Sequence, residues 1–361
     1  MAPEAGLKAM LAHVRDLPAQ LEAAPRLPGL ADLAPPSVPI RDVLVCGMGG
    51  SAIAGDLVQP LLADGPVSLT VWRDYGLPPW VGPEDLVIAS SYSGNTEETL
   101  AATAAALDRG CRMIGMGSGG ELAALAGSAG FPLIVLPGGL PPRASLGLGL
   151  GALLGLLDGW GLVRDLRPQL QAACAGLRRA APARAWFAPA ASGATDYPAD
   201  PDGNPPAALL ARALDGRIPV IFTAGTEAHP VGRRFKAQLN ENSKVPAFLA
   251  EFPELDHNDL VGWDLPADRR EGFALVVMKC GPLSDRLERR VSATLNLVKD
   301  DFSFVSVVTA AGRSPLDRVL SLVQYGDFVS CHLAGWRQVD PVPVVRIESL
   351  KRTLAGGADR G

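Results

Sequence analysis

Two segments place chemistry-bearing residues where an apolar run gives way to glycines or hydroxyls. The first is Val43-Leu-Val-Cys-Gly-Met-Gly-Gly-Ser-Ala-Ile-Ala-Gly55, a strand-like run leading into small residues of helical character. Glycines there let a ligand approach the backbone, and the free N–H groups and positive end of the next helix favour an anion such as phosphate. Gly47, Gly49 and Ala52 also satisfy G-x-G-x-x-A, with Asp74 as a late ribose partner, so a dinucleotide, another phosphate and a tight turn without ligand all stay open. The second segment, Ala89-Ser-Ser-Tyr-Ser-Gly-Asn-Thr-Glu-Glu98, sets Ser91, Ser93 and Thr96 after another apolar run. Hydroxyls donate to phosphate oxygens without adding charge, which suits a small phosphomonoester. Asn95 with Glu98 equally reads as a capping box around a helix that binds nothing.

Groups able to move protons are fewer. Glu241 follows the amphipathic pattern Val231, Phe235, Leu239, where Asn242 and Ser243 would stop a helix; it reads either as a general base or as an exposed residue of a last turn. His257 has Glu254, Asp256 and Asp259 beside it, a setting for an imidazolium acid, a metal ligand or ordinary polar loop chemistry. Arg143 follows Pro142 at the start of an apolar run, where a cation opposes the helix dipole unless an anion is close. Lys351 lies near the end of the chain and is one of 6 Lys against 27 Arg. His13, His229 and His332 show no HxxxH pairing and read as structural or exposed.

The elements that must position these groups follow from the alternation of short apolar runs with helical patterns, the signature of a parallel sheet wrapped by helices. Strands are expected at Val43 to Cys46, Ser68 to Trp72, Leu86 to Ser90, Arg112 to Met116 and Leu133 to Leu136, with helices starting near Ser51, Asn95, Gly120 and Ser145. A second series has strands near Pro219 to Thr223, Ala247 to Glu251, Ala274 to Lys279 and Ser303 to Val308, and helices near Pro230 to Leu239, Ser284 to Leu297 and Pro315 to Tyr325. The expectation is an α/β chain of two doubly wound parallel-sheet domains, 1–160 with a leading helical segment and 161–361 ending in a helix over 344–354. Between them, 183–206 is rich in Ala, Pro, Gly and Asp and reads as a long connecting loop.

Composition removes other classes. At 361 residues the chain suits two domains, and 48% hydrophobic with 20% charged residues argues for a globular body. Lys+Arg 33 against Asp+Glu 38 gives net charge −5, so no broad positive field attracts nucleic acid. The uncharged, Gly-rich run 144–157 is too short to span a bilayer, and the N-terminus lacks the apolar stretch of a signal peptide. Cys46, Cys111, Cys174, Cys280 and Cys331 form no CxxC pair, which predicts neither a disulfide framework nor a thiolate metal site and fits a reducing cytoplasm.

Cys46 to Asp56 with Ser90 to Glu98 resembles the sugar isomerase (SIS) domain of the bifunctional phosphoglucose/phosphomannose isomerases. The likeness extends through Pro142-Arg143, Asn240-Glu-Asn-Ser-Lys-Val-Pro-Ala247, Glu254-Leu-Asp-His-Asn258 and Asp340-Pro-Val-Pro343, nearly the whole chain. It implies tandem SIS domains and a metal-independent hexose 6-phosphate isomerase working through a cis-enediol(ate), with no cofactor. It further implies that Gly49, Gly50, Ser51, Ser91, Ser93 and Thr96 cradle the substrate phosphate. Glu241 becomes the base, Arg143 the stabiliser of the enediolate, and His257 and Lys351 the ring-opening groups, His257 serving the partner subunit of a homodimer. Relatives read Asp-Pro-Thr-Pro where this chain has Val342, a position tied to discrimination between C2 epimers. Volume is kept there and a hydroxyl lost, so both glucose 6-phosphate and mannose 6-phosphate remain expected substrates. A non-catalytic sugar-phosphate sensor and an NAD(P)-dependent oxidoreductase are the competing readings, the former lacking any basic helix-turn-helix at either end.

Overall fold

The structure, a computed structural model, describes residues 3–63, 65–163, 166–186, 197–310 and 312–357. Two helices, α1 (Pro3–Arg15) and α2 (Leu17–Ala23), lead into β1 (Asp42–Gly47), α3 (Gly49–Val58), β2 (Ser68–Trp72), β3 (Leu86–Ser90), α4 (Glu97–Asp108), β4 (Arg112–Gly117), α5 (Gly120–Ala129), β5 (Leu133–Val135) and α6 (Leu146–Gly159). The five strands are parallel in the order β2-β1-β3-β4-β5. Central β1 and β3 are covered on both faces, so they read as unbroken apolar runs rather than as alternation.

The second half carries α7 (Leu166–Arg184), α8 (Ala207–Leu214), β6 (Ile218–Ala224), α9 (Ala228–Glu241), β7 (Phe248–Glu251), α10 (Ala267–Arg270), β8 (Phe273–Lys279), α11 (Asp285–Val298), β9 (Phe304–Thr309), α12 (Pro315–Trp336) and α13 (Val345–Gly357). Its strands are also parallel, in the order β7-β6-β8-β9. The architecture is duplicated as the apolar pattern predicted. Helix α3 of the first half packs on α9 of the second, and α12 packs against α1, α7, α8 and α9.

Two elements differ from the pattern reading. The helix expected to stop at Tyr325 continues to Trp336, because Gly326 and Asp327 do not break it. A Cβ at Gly326 would lie 3.0 Å from the Phe235 ring, so the glycine lets α9 approach closely. Helix α7 reaches Arg184, into the segment read as a loop; Arg184 is buried and donates to Asp200 (2.6 Å), to Asp202 and to the Ser321 carbonyl (2.9 Å). Both ends of the connection are therefore fixed by α12; the remainder of that loop, 187–196, lies outside the described residues. The five cysteines are buried and free. Among the described residues no helix is long and apolar enough to cross a membrane.

Candidate active site

With β1 between β2 and β3, the connections leaving β1 and β3 diverge and open a crevice at the strands' carboxyl ends. Gly47 and Ser90 pair in register at that edge, which brings the glycine turn and the hydroxyl turn together. Gly49 takes φ +48, the left-handed region that favours glycine. A Cβ on Gly50 would lie 3.0 Å from the Pro142 carbonyl oxygen and 3.2 Å from Arg143 N, so this turn is built to hold the main chain of Arg143 against it. Ser51 Oγ accepts from Tyr92 N (3.0 Å), and Ser90 Oγ donates to the Ser51 carbonyl (3.0 Å), locking one turn to the other.

The hydroxyls form a graded set. Ser91 is buried with Oγ 2.8 Å from Thr96 Oγ1, Thr96 is half-buried, and Ser93 is exposed, accepting from Asn95 N at 3.2 Å. The capping box does not form. Thr96, not Asn95, is the N-cap of α4, and its side chain caps nothing, while Asn95 Oδ1 accepts from Glu121 N (2.9 Å). Asp74 is exposed and accepts from its own neighbour, Tyr75 N (2.7 Å).

Glu241 ends α9 as expected and faces Arg143 across the junction of the halves. Arg143 is 4% exposed; its Nη1 lies 3.3 Å from Glu241 Oε2, its Nε donates to Asn242 Oδ1 (2.7 Å), and its Nη2 donates to the carbonyls of Pro341 and Val342 (2.9 Å to the latter). Burial draws the guanidinium down from its ordinary range, and Glu241 opposes that shift. The anion expected near Arg143 is thus Glu241 itself. Arg143 and Glu241 line, with Gly49 and Gly50, a cavity of about 100 Å3 along the α3–α9 seam.

Sequence reading missed three further cations on that cavity, Arg73, Arg233 and Arg234. Arg73 and Arg233 (3.0 Å) both bind Asp56 of α3, and the Arg233 bond ties the second half to the first. Arg234 pairs with buried Asp327 (2.7 and 3.0 Å) and donates to the Arg143 carbonyl (3.0 Å). Gln238 adds a bond to Asp327 (3.1 Å). A signal did exist: Asp56 and Asp327 are lone carboxylates in apolar helical runs, and a buried carboxylate requires a cation.

Other candidates are not brought to this cavity. His257 is exposed on a 3-10 turn, and its neighbour Asp256 is engaged by Arg290 (3.0 Å) and Thr294 (2.7 Å) rather than by the imidazole. Lys351 is exposed on α13. Val342 packs its side chain on the core while its N–H donates to Asp340 Oδ1 (2.9 Å). At the second sheet the matching crevice holds the Glu227 carboxylate, 3.2 Å from where a Gly281 Cβ would lie and bound by Arg318 (2.6 and 2.9 Å). That crevice therefore already contains an internal ion pair. Among the described residues no group of three His, Cys, Asp or Glu converges as a metal site.

Residues 204–354 match the family model described as the bacterial phospho-glucose isomerase C-terminal SIS domain. The bifunctional phosphoglucose/phosphomannose isomerase of Caldicellulosiruptor bescii is 35% identical over 96% of this chain and 99% of its own. That of Aquifex aeolicus is 33% identical over 90% of this chain and 93% of its own. Among solved structures, a hypothetical protein of Thermus thermophilus superposes with TM-score 0.70 at 20% identity, covering 99% of this chain and 94% of that one, a likeness of fold.

Proposed function

The chain belongs to the bifunctional phosphoglucose/phosphomannose isomerase family, and from that premise we propose how its residues divide the isomerisation of glucose 6-phosphate, and of mannose 6-phosphate, with fructose 6-phosphate. The first domain, 1–160, holds the phosphate at Gly49, Gly50, Ser51, Ser91, Ser93 and Thr96. The second, 161–361, supplies the base. In the ketose-to-aldose direction the Glu241 carboxylate takes a proton from C1, and the electrons of that bond move onto the C2 oxygen to give the enediolate. Arg143, already aimed at Glu241, faces the charge that develops. Transfer of the hydroxyl proton from O1 to O2 and delivery of the Glu241 carboxyl proton to C2 give the aldose and regenerate the carboxylate, so no hydride leaves and no redox cofactor is needed.

The observation that carries this reading is the Arg143–Glu241 pair, 3.3 Å apart, set against the Gly50 turn. His257 and Lys351 open the sugar ring; both are exposed and off the cavity within one chain, which supports a homodimer in which His257 serves the partner subunit's site. Exposed Val345, Ile347, Leu350 and Leu354 on α13 support the same dimer. We place the enzyme in the cytoplasm, supported by its five free, buried cysteines. Purified protein with fructose 6-phosphate, glucose 6-phosphate and mannose 6-phosphate being followed by separate couplings, is expected to form both. Formation of neither refutes the reading.

A further inference from the structure

The segment Asp340-Pro-Val-Pro343 has an unusual backbone inventory. Over residues 341–343 two prolines remove two N–H donors, and the one left, Val342 N–H, is taken by Asp340 Oδ1. Three consecutive carbonyls are thereby deprived of local partners and turn to two side chains from elsewhere. Arg143 takes those of Pro341 and Val342. Lys244 takes those of Pro343 (2.7 Å) and Pro341 (3.4 Å), and its third donor reaches the main-chain carbonyl of Glu241.

Lys244 is itself held for this. Its φ is +57, a conformation that a side-chain-bearing residue adopts at a cost. The residues before it anchor the turn: Asn242 Nδ2 donates to Ser330 Oγ (3.0 Å), Ser243 Oγ to the Ser330 carbonyl (2.7 Å), and Arg337 Nε to the Ser243 carbonyl (3.1 Å). The residue is exposed overall, while desolvation of the ammonium and the nearby Arg143 lower its pKa. One Arg143 nitrogen contacts the Glu241 carboxylate and another the Val342 carbonyl, so the turn borders whatever atoms that carboxylate reaches.

We propose that Lys244 is a positioning residue for stereochemical outcome: by clamping the Pro341–Pro343 turn to the main chain of the base, it sets how the enediolate lies when Glu241 returns its proton to C2, and hence the ratio of glucose 6-phosphate to mannose 6-phosphate. This rests on the isomerase reading above. At position 342 the main chain, rather than the valine side chain, carries the link to the base.

The test is Lys244→Asn, which tolerates positive φ but has no ammonium. From fructose 6-phosphate, initial rates of the two aldose products are measured with separate coupling. The expected result is a product ratio changed by about three- to tenfold, the effect of losing one or two such hydrogen bonds, with KM for fructose 6-phosphate little changed. An unchanged ratio in the folded variant overturns the role of Lys244, whereas a wild-type protein that turns over no fructose 6-phosphate overturns the isomerase reading instead. Should Lys244→Asn yield no folded protein, Lys244→Gly decides by the same readout, since glycine adopts the left-handed turn freely and carries no donor. An unchanged ratio there is equally fatal.

Discussion

Replacing Arg143 by Lys keeps a charge and destroys a geometry. The guanidinium reaches Asn242 Oδ1, Glu241 Oε2 and two carbonyls from one rigid fork, whereas an ammonium is a shorter point donor that can keep only part of that set. Pro341 retains a bond from Lys244, but among the described residues Asn242 Oδ1 and the Val342 carbonyl have no other donor. Two acceptors left unpaired at about 1 to 3 kcal/mol each lower stability by about 2 to 4 kcal/mol, after partial relaxation toward water. Loss of a fixed donor at the enediolate lowers kcat by about a hundredfold, roughly 2.7 kcal/mol of barrier. KM moves little, since the glycine and hydroxyl turns are untouched. Steady-state kinetics and urea denaturation on the same preparation measure both effects. A folded Arg143→Lys enzyme with kcat within about threefold of wild type would refute the argument.

Ser91→Ala removes a buried hydroxyl that faces Thr96, and is expected to raise KM for sugar phosphate with kcat nearly unchanged, by about 1 to 2 kcal/mol in binding; unchanged KM and unchanged competition by inorganic phosphate would move the anion elsewhere. His332 is buried on α12 and held at a pKa of about 4 by desolvation. Its folded pKa is depressed, so below pH 6.5 the unfolded chain binds a proton that the folded chain refuses, and stability falls as pH drops from about 6.5 through 4, by roughly 3 kcal/mol in all. His332→Gln should flatten that part of the stability–pH curve; an unaltered slope would show that another group governs it.

Much of this could be seen in the sequence because it is written locally. Strands β2 and β3 begin and end where the apolar runs do, and the Gly49–Ser51 and Ser91–Thr96 turns sit at strand ends as their composition requires. What was hidden depends on contacts between distant residues. Gly326 and Asp327 look like a helix end until Phe235 and Arg234 are placed against them, so the sequence pattern alone ends α12 eleven residues short. In sequence Arg143 is a cation without a visible partner, because nothing in residues 141–146 reveals that Glu241, Asn242 and the 341–342 carbonyls converge on it. Val342 drew notice for its missing hydroxyl, while its carbonyl carries the contact to the site. Lys244 stood inside the motif that resembles the family, yet its left-handed turn and three carbonyl partners appear only in three dimensions.

The proposed proton transfer by Glu241 between C1 and C2 is put to the test by Glu241→Gln in deuterated water. Wild-type enzyme should place solvent deuterium in the sugar phosphate as the carboxyl proton exchanges during turnover, read by NMR at C1 and C2. The variant keeps the shape of the side chain and the phosphate turns, so calorimetric binding of fructose 6-phosphate should persist. Isomerisation and deuterium incorporation should both fall by about a thousandfold or more. A variant that binds, isomerises and exchanges at rates near wild type would contradict the assignment of the base and, with it, the whole account of the cavity.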